Sequence, residues 1–330
     1  MGIFHQPAKP SVARLATTRK TRGRALQVLE YLGVYGLVLL SRTLPLKAGH
    51  RISALVGDLI YYLLPARRTV ALENLRHAFP EAPRERDIRA IARRSCHSFV
   101  ASLFETIKLR ALLDHPRGSE RIGRATDGLD LLLKKAHEIH TEAGGCIFVT
   151  PHLGNWEFLP FVGVLADIPL VVVVRPLDNK YLERLLYGFR SGSGQIIVPK
   201  NNSMLTLRRA LRQGKSIGML PDQRTIRAIS VEYFGRKATT TPVPALLALQ
   251  YRRPIVVVAC CRRSRDFQYE GFVSDPIWPQ ADGTEEAEIP RLTREMNRAM
   301  EAIVRRYPEQ YLWMHNRWKT FRTNKDLALP

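Results

Sequence analysis

From residue 146 onward, short apolar runs recur between segments of helical period. The runs are CIFVT (146–150), PLVVVVR (169–175), QIIVP (195–199), SIGML (216–220), VEYFG (231–235) and IVVVACC (255–261). Helical patterns separate most of them, among them 202–213, stopped by Gly214, and 242–251. Strands that are apolar throughout and alternate with helices predict an α/β fold, its mainly parallel sheet covered on both faces. FQYEGFV (267–273) alternates instead, which predicts an added antiparallel strand and a mixed sheet flanked by helices. Leu292, Met296, Met300, Ile303, Val304 and Tyr307 form one stripe, predicting a last helix over 289–307.

The N-terminal part is patterned differently. ALQVLEYLGVYGLVLLSRTLPL (25–46) is apolar, yet Glu30 and Arg42 bracket an uncharged stretch shorter than the ~20 residues of a spanning helix. ISALVGDLIYYLL (52–64) is shorter and holds Asp58. Each segment suits a core helix; together with a basic leader they suit a membrane anchor or an in-plane amphipathic helix. Residues 66–115 read as a helical lead-in, broken at Pro80. The expected organisation is a basic tail (1–24), membrane-associated helices (25–65) and a catalytic domain (66–330) whose α/β core begins near 120. No internal repeat, low-complexity segment or cleavable secretory signal is expected.

Charge then narrows the partners. Lys and Arg outnumber Asp and Glu by 51 to 30, a formal net charge of +21. That excess points to nucleic acid, a membrane surface or acidic substrates. Nucleic acid is disfavoured: no known binding motif is present, and aromatics do not interleave with the basic clusters. Cys96, Cys146, Cys260 and Cys261 form no CxxC pair, so reduced thiols and no structural zinc are expected.

The candidate chemistry starts at TPHLGNWE, Thr150 to Glu157, directly after a strand. On a regular helix five residues turn about 500°, leaving His152 and Glu157 roughly 140° apart. They meet only if the histidine sits in a turn and the glutamate opens a helix. Leu153-Gly154-Asn155 supplies such a turn, with Asn155 as an N-cap candidate. Three readings stay open: a catalytic base with an orienting carboxylate, a structural pair, and a metal site. The last needs a third protein ligand, for which His315 is the candidate. The chemistry that fits is general-base acyl transfer, with His152 taking the proton of an attacking hydroxyl and Glu157 holding the ring. With no G-x-S-x-G and no serine or cysteine beside His152 in sequence, direct transfer is favoured over a covalent intermediate.

Other candidates lie at further strand ends. Arg175 opens RPLDN and suits a phosphate clamp, or else a surface ion pair; Asn179 closes the same stretch. Asp222 and Gln223 follow GMLP as substrate-orienting residues or a plain polar loop. YFGRKATTTP sets Phe234, Gly235 and threonine hydroxyls against a ligand, or is merely a turn into a helix. Arg208, Arg209 and Arg212 read as a solvated basic face.

HLGNWE, RPLDN, LPDQ, YFG-x-x-A-T and the closing PEQYLWMHNRWK, with ENLRHAFPE upstream, resemble the lipid A late acyltransferases of the lysophospholipid-acyltransferase-like superfamily. The resemblance spans roughly Leu37 to Lys319 and implies a glycerolphosphate-acyltransferase-like fold. It implies one N-terminal membrane helix and a catalytic domain on the cytoplasmic face of the inner membrane. The implied donor is an acyl carrier protein thioester, or acyl-coenzyme A, and the implied acceptor a phosphorylated glucosamine disaccharide lipid; no cofactor is implied. His152 and Glu157 carry over as the catalytic pair, and Arg175, Asp222 and Gln223 as substrate-site residues. Relatives with this signature also acylate other lipids, including mannosylated phosphoinositides, so a lysophospholipid or glycolipid acceptor is the alternative. A basic, membrane-peripheral binding protein without turnover is the remaining one.

Overall fold

The computed structural model describes residues 23–81, 84–113, 128–174, 176–191, 195–199, 203–225, 228–263 and 268–318. The expected basic tail up to residue 22, Arg175 and the lead-in's last residues (114–115) lie outside these.

Four helices come first: α1 (Arg24–Thr43), α2 (Leu46–Leu63), α3 (Pro65–Ala78) and α4 (Glu85–Leu113). Pro65 begins α3, where its missing N–H costs nothing. After α5 (Asp130–Ala143) the chain turns through Gly144 and Gly145, both at positive φ, into β1 (Ile147–Val149). A short α6 (Leu159–Leu165), β2 (Leu170–Val174), α7 (Lys180–Ser191), β3 (Ile196–Pro199), α8 (Ser203–Arg212) and β4 (Ser216–Met219) follow. Next come β5 (Ile229–Tyr233), β6 (Arg236–Thr240), α9 (Val243–Tyr251), β7 (Ile255–Arg262), β8 (Tyr269–Val273) and α10 (Glu285–Arg306).

Six strands form one sheet in the order β3-β2-β4-β1-β7-β8. The first five run parallel, and β8 joins antiparallel to β7. This is the mixed α/β architecture expected from the apolar runs. On one face Ile147, Val149, Val171, Ile217 and Val257 pack under α8, α9 and α10, and α3 and α4 join the same core. On the other face Phe148, Val172, Val256 and Val258 pack under α5 and α6.

One strand is placed differently from its expected position. VEYFG does not enter the main sheet; β5 pairs only with β6, in a separate two-stranded ribbon. Its residues alternate, Val231 and Tyr233 buried and Glu232 exposed, which is the signature of a one-sided ribbon rather than a central strand. Phe234 and Gly235, at φ 53° and 70°, make the two-residue turn, a conformation that suits the right-handed twist of paired strands.

Among the described residues no helix is long and apolar enough to cross a membrane. Asp58 explains why α2 departs from an uninterrupted apolar run. Its carboxylate turns inward, accepting from Arg93 at 2.5 and 2.6 Å and lying 2.6 Å from His97 Nε2, both on α4. Leu29 and Leu37 on α1, and Leu55, Leu59 and Leu63 on α2, are each more than half exposed.

Candidate active site

β1 and β4 are parallel neighbours in a register that sets Val149 beside Met219. Each chain then runs through a proline, Thr150-Pro151-His152 and Leu220-Pro221-Asp222, so two equal overshoots deliver an imidazole and a carboxylate side by side. Proline cannot donate to a ladder, which helps end the pairing here. Asp222 clasps His152 twice: Oδ2 accepts the backbone N–H at 2.8 Å, and Oδ1 lies 2.6 Å from ring Nδ1. A carboxylate oxygen only accepts, so Nδ1 carries the proton and Nε2 presents a lone pair. Gln223 Nε2 lies 3.2 Å from that lone pair and donates to it, standing where an incoming hydroxyl would stand.

The turn after His152 is held tightly. Gly154 adopts φ 60°, and a Cβ there would sit 2.1 Å from the Cys260 carbonyl oxygen. Only glycine permits that approach, which lets Asn155 N–H reach the same oxygen at 2.8 Å. On the other side Leu312 N–H donates to the His152 carbonyl at 3.0 Å, pinning the closing WMHNRW stretch to the turn.

Asp222 is 2% exposed. Burial works to raise its carboxyl, but the His152 charge and hydrogen bonds, aided by Arg317, outweigh it and hold the group below the ordinary range. Arg317 is itself buried and, among the described residues, its hydrogen bonds go to neutral acceptors, Thr239 O and Thr240 Oγ1, at 2.5 and 2.6 Å. His315 lies within electrostatic reach of both Asp222 and His152. Burial pushes it down to about 4, with His152 and Arg317 adding to burial and Asp222 opposing it.

An apolar cavity opens beside this pair, on the sheet face covered by α5 and α6. Its volume is about 70 Å³, and it is lined by Phe148, Val172, Gly218 and Val258 from the sheet and by Ala136 and Val162 from the helices. Thr150 and Trp156 complete its wall. The Trp156 ring packs edge-on against His152, centroids 5.2 Å apart, so only one side chain separates the imidazole from the cavity.

Several expected site residues are placed otherwise. The strand–turn–helix corner exists, but the carboxylate on the His152 ring is Asp222, not Glu157. Glu157 sits half-buried on a single 3₁₀ turn, Trp156–Phe158, and among the described residues the ring's hydrogen bonds go to Asp222 and Gln223. Asn155 occupies the N-cap position of that turn, but its side chain makes no capping bond there; its amide points inward to Glu105 and Tyr269. Asp222 touches the histidine rather than lying open to a ligand. Asn179 is spent structurally. Its Oδ1 accepts from Tyr181 and Leu182 N–H, and its Nδ2 donates to Gln27 O and Glu30 Oε2, tying α7 to α1. Phe234 is buried against Trp313 and Trp318 and forms the ribbon turn with exposed Gly235. Arg175 is outside the described residues. Among the described residues no group of three His, Cys, Asp or Glu side chains is arranged to hold a metal ion.

Sequence reasoning missed Arg317 and the link between His152 and Asp222. The signal for the second was present: T-P-H and L-P-D repeat one strand-exit pattern, and strand adjacency was the missing term.

Comparison with known proteins places the chain in a family. A family model described as bacterial lipid A biosynthesis acyltransferase matches residues 17–320. The lipid A biosynthesis palmitoleoyltransferase of Escherichia coli K12 is 26% identical over 270 residues, 80% of this chain and 83% of that relative. The lipid A biosynthesis lauroyltransferase of the same organism is 25% identical over 301 residues, 88% and 92% of the two chains. A lipid A biosynthesis acyltransferase of Haemophilus influenzae is 22% identical over 302 residues, 90% and 89%.

Proposed function

The chain belongs to the bacterial lipid A biosynthesis acyltransferases and is an acyltransferase, and from that premise we propose that His152, oriented by Asp222, is its general base. The reading is a direct transfer of a fatty acyl group from a carrier-protein thioester to a hydroxyl of a lipid A precursor. As the hydroxyl oxygen attacks the thioester carbonyl, Nε2 accepts its proton. Nδ1–H stays on Asp222, whose negative charge stabilises the imidazolium. When the tetrahedral intermediate collapses, the C–S bond breaks and the imidazolium returns the proton to the leaving thiolate. Gln223 vacates the Nε2 position to the acceptor and takes up a substrate contact.

The observation that carries this reading is the Asp222–His152–Gln223 chain beside a cavity walled by Trp156. An apolar slot of that kind suits the hydrocarbon chain of the donor. Arg175, next after β2 in sequence, is assigned to an acceptor phosphate, for which a guanidinium fork is the fitting partner. The test is transfer of labelled acyl groups by the pure protein, offered lipid A precursor, lysophospholipid or phosphoinositide mannoside, with carrier-protein or coenzyme A thioesters. Transfer to the lipid A precursor alone is expected. Preference for another acceptor would replace the substrate, and a lipid A profile unchanged by loss of the gene, read by mass spectrometry, would remove it. Arg175→Ala is expected to raise the apparent KM for the phosphorylated acceptor, and an unaltered KM would refute the clamp.

We also assign the protein to the inner face of the cytoplasmic membrane, seated by α1 and α2. Contiguous exposed leucines on a water-facing helix pair are a liability unless something apolar covers them, and the basic surplus favours an anionic leaflet. Flotation with anionic vesicles, absent from neutral ones at high salt, is the expected result. Full recovery in the unbound fraction would refute the seat.

A further inference from the structure

We propose that the buried Glu105–Arg262 ion pair, linked through Asn155, is a positioning device that holds the His152 turn in its reactive geometry. The inference rests on the assignment of His152 as general base.

The pair lies directly behind the turn. Glu105, on α4, is fully buried, and the Arg262 side chain, at the end of β7, is nearly so. Arg262 Nε and Nη2 both donate to Glu105, the second to Oε2 at 2.8 Å. The guanidinium also reaches Ser98 Oγ and Ser102 Oγ, each at 3.1 Å. His50 on α2 brings Nε2 to 3.4 Å from Glu105 Oε1.

What distinguishes this cluster is where its remaining hydrogen bonds go. Ser102 Oγ donates to Gly154 O at 2.7 Å. Asn155 Nδ2 donates to Glu105 Oε2 and to Tyr269 Oη, both at 3.2 Å. Gln310 accepts Arg262 N–H through its side chain at 2.9 Å, and its backbone carbonyl accepts Gly154 N–H at 3.1 Å. The two residues following His152-Leu153 are therefore gripped by one connected network anchored on an ion pair.

Stability alone does not account for such a pair. Desolvating two charges costs about as much as their attraction returns, and apolar replacements of similar volume are often neutral or stabilising. Geometry accounts for it better. A displacement of about 1 Å at a catalytic group costs on the order of 100-fold in rate. The polar contacts of Ser102 and Asn155 add directional restraint on the turn to the close approach of Gly154 to the Cys260 carbonyl.

This separates a positioning role from a merely structural one. In the full-length protein, Glu105→Leu with Arg262→Met removes both charges together. The expected result is a Tm within a few degrees of wild type, kcat lower by about 100-fold and KM nearly unchanged. Asn155→Ala leaves the ion pair intact but removes the direct link from Glu105 to the turn. It serves where the double variant does not fold, and the same kcat loss is expected. Adding Asn155→Ala to the double variant is expected to lower kcat little further, because without Glu105 the Asn155 amide has already lost its anchor on the pair. Retention of kcat within threefold in either folded variant overturns the proposal. A second readout does not depend on turnover. The His152 ring proton shared with Asp222 is expected as a low-field NMR signal, assigned by its loss in His152→Ala. Asn155→Ala is expected to shift or broaden it, and an unmoved signal overturns the positioning role. A wild-type protein that transfers no acyl group would instead overturn the assigned reaction and leave the NMR result standing.

Discussion

Asp222 meets His152 and Asp58 meets His97 at the same distance, 2.6 Å, yet the two pairs are built for different ends. Asp58 is a quarter exposed and already gripped at both oxygens by Arg93. Arg93, and after it His97, holds its carboxyl well below the ordinary carboxylate range. Its charge is neutralised whatever the protonation state of the histidine. Asp222 is buried, and among the described residues its only ion-pair partner within 4 Å is His152. The more distant Arg317 helps keep it ionised, but the contact that completes its neutralisation is a protonated His152. In the proposed mechanism an aspartate arranged in that way lies where positive charge develops on the ring during transfer. Distance alone does not set the two pairs apart; the burial of Asp222 and the apolar cavity beside His152 do.

The sharpest break between the two pairs is expected from histidine removal. His152→Ala should lower acyl transfer by about 10⁴-fold, near the upper range for a positioned acid–base group, while His97→Ala stays within about threefold. Initial rates with a saturating thioester donor decide it. Equal losses at both positions would erase the distinction. Next comes the carboxylate. Asp222→Asn should cost on the order of 10²–10³ in kcat, because the amide can no longer stabilise the imidazolium or fix its tautomer.

How far these pairs were legible in the sequence depends on which physical term decides them. Local terms were readable. Apolar runs gave the main strands, a left-handed glycine was apparent in HLGN, and His152 stood at a strand exit. The partner of His152 was not local. Glu157 is near in sequence, but Asp222 is near in space because β4 lies between β2 and β1, an order that no hydrophobic period encodes. Phe234 and Gly235 take the turn alternative for the opposite reason. The motif speaks for a ligand contact, while the alternation of Val231, Glu232 and Tyr233 marks a hairpin. Asn179 resembled a ligand residue because helix caps and polar binding groups draw on the same amino acids.

Removing the substrate without touching either pair sharpens the comparison further. Gly218 lines the cavity, and a Cβ there would make only ordinary contacts, about 3.6 Å, with Leu170 and Val172. Gly218→Ile should therefore fold while filling part of the slot. Each methylene it excludes forfeits ~0.8 kcal/mol, roughly fourfold in selectivity, so preference should move to shorter acyl chains. Competition between thioesters of graded length measures this, and an unchanged preference would detach the cavity from the acyl chain.

His315 supplies a pH test on the side of Asp222. Its folded value, about 4, lies below the ~6.5 of an unfolded histidine. Between those values the unfolded chain binds a proton that the folded chain refuses, so stability falls as pH drops from 6.5 toward 4, by at most ~1.4 kcal/mol per unit. His315→Gln should flatten that part of the urea-midpoint profile. A slope equal to wild type would assign the loss to other groups.

The smallest effect is expected at Asp58, and it tests whether that pair is only a brace. Its ion pair with Arg93 is partly exposed and screened by water and salt, so Asp58→Asn should cost about 1 kcal/mol at neutral pH. In a domain of this size that is a melting-point drop of about 2 °C. The sign with pH follows from the depressed carboxyl. The unfolded aspartate protonates near 3.9 and the folded one only lower, so the contribution is complete above that range. It is lost as pH falls through the folded value. Wild type and Asp58→Asn should therefore differ at pH 7 and converge in strong acid, and their gap at pH 7 should narrow in high salt. Acyl transfer should be unaffected at every pH where both are folded. A fall in kcat comparable to that of Asp222→Asn would show that the α2–α4 brace and the strand-exit pair are not separable, because the same carboxylate would then be serving both structure and proton transfer.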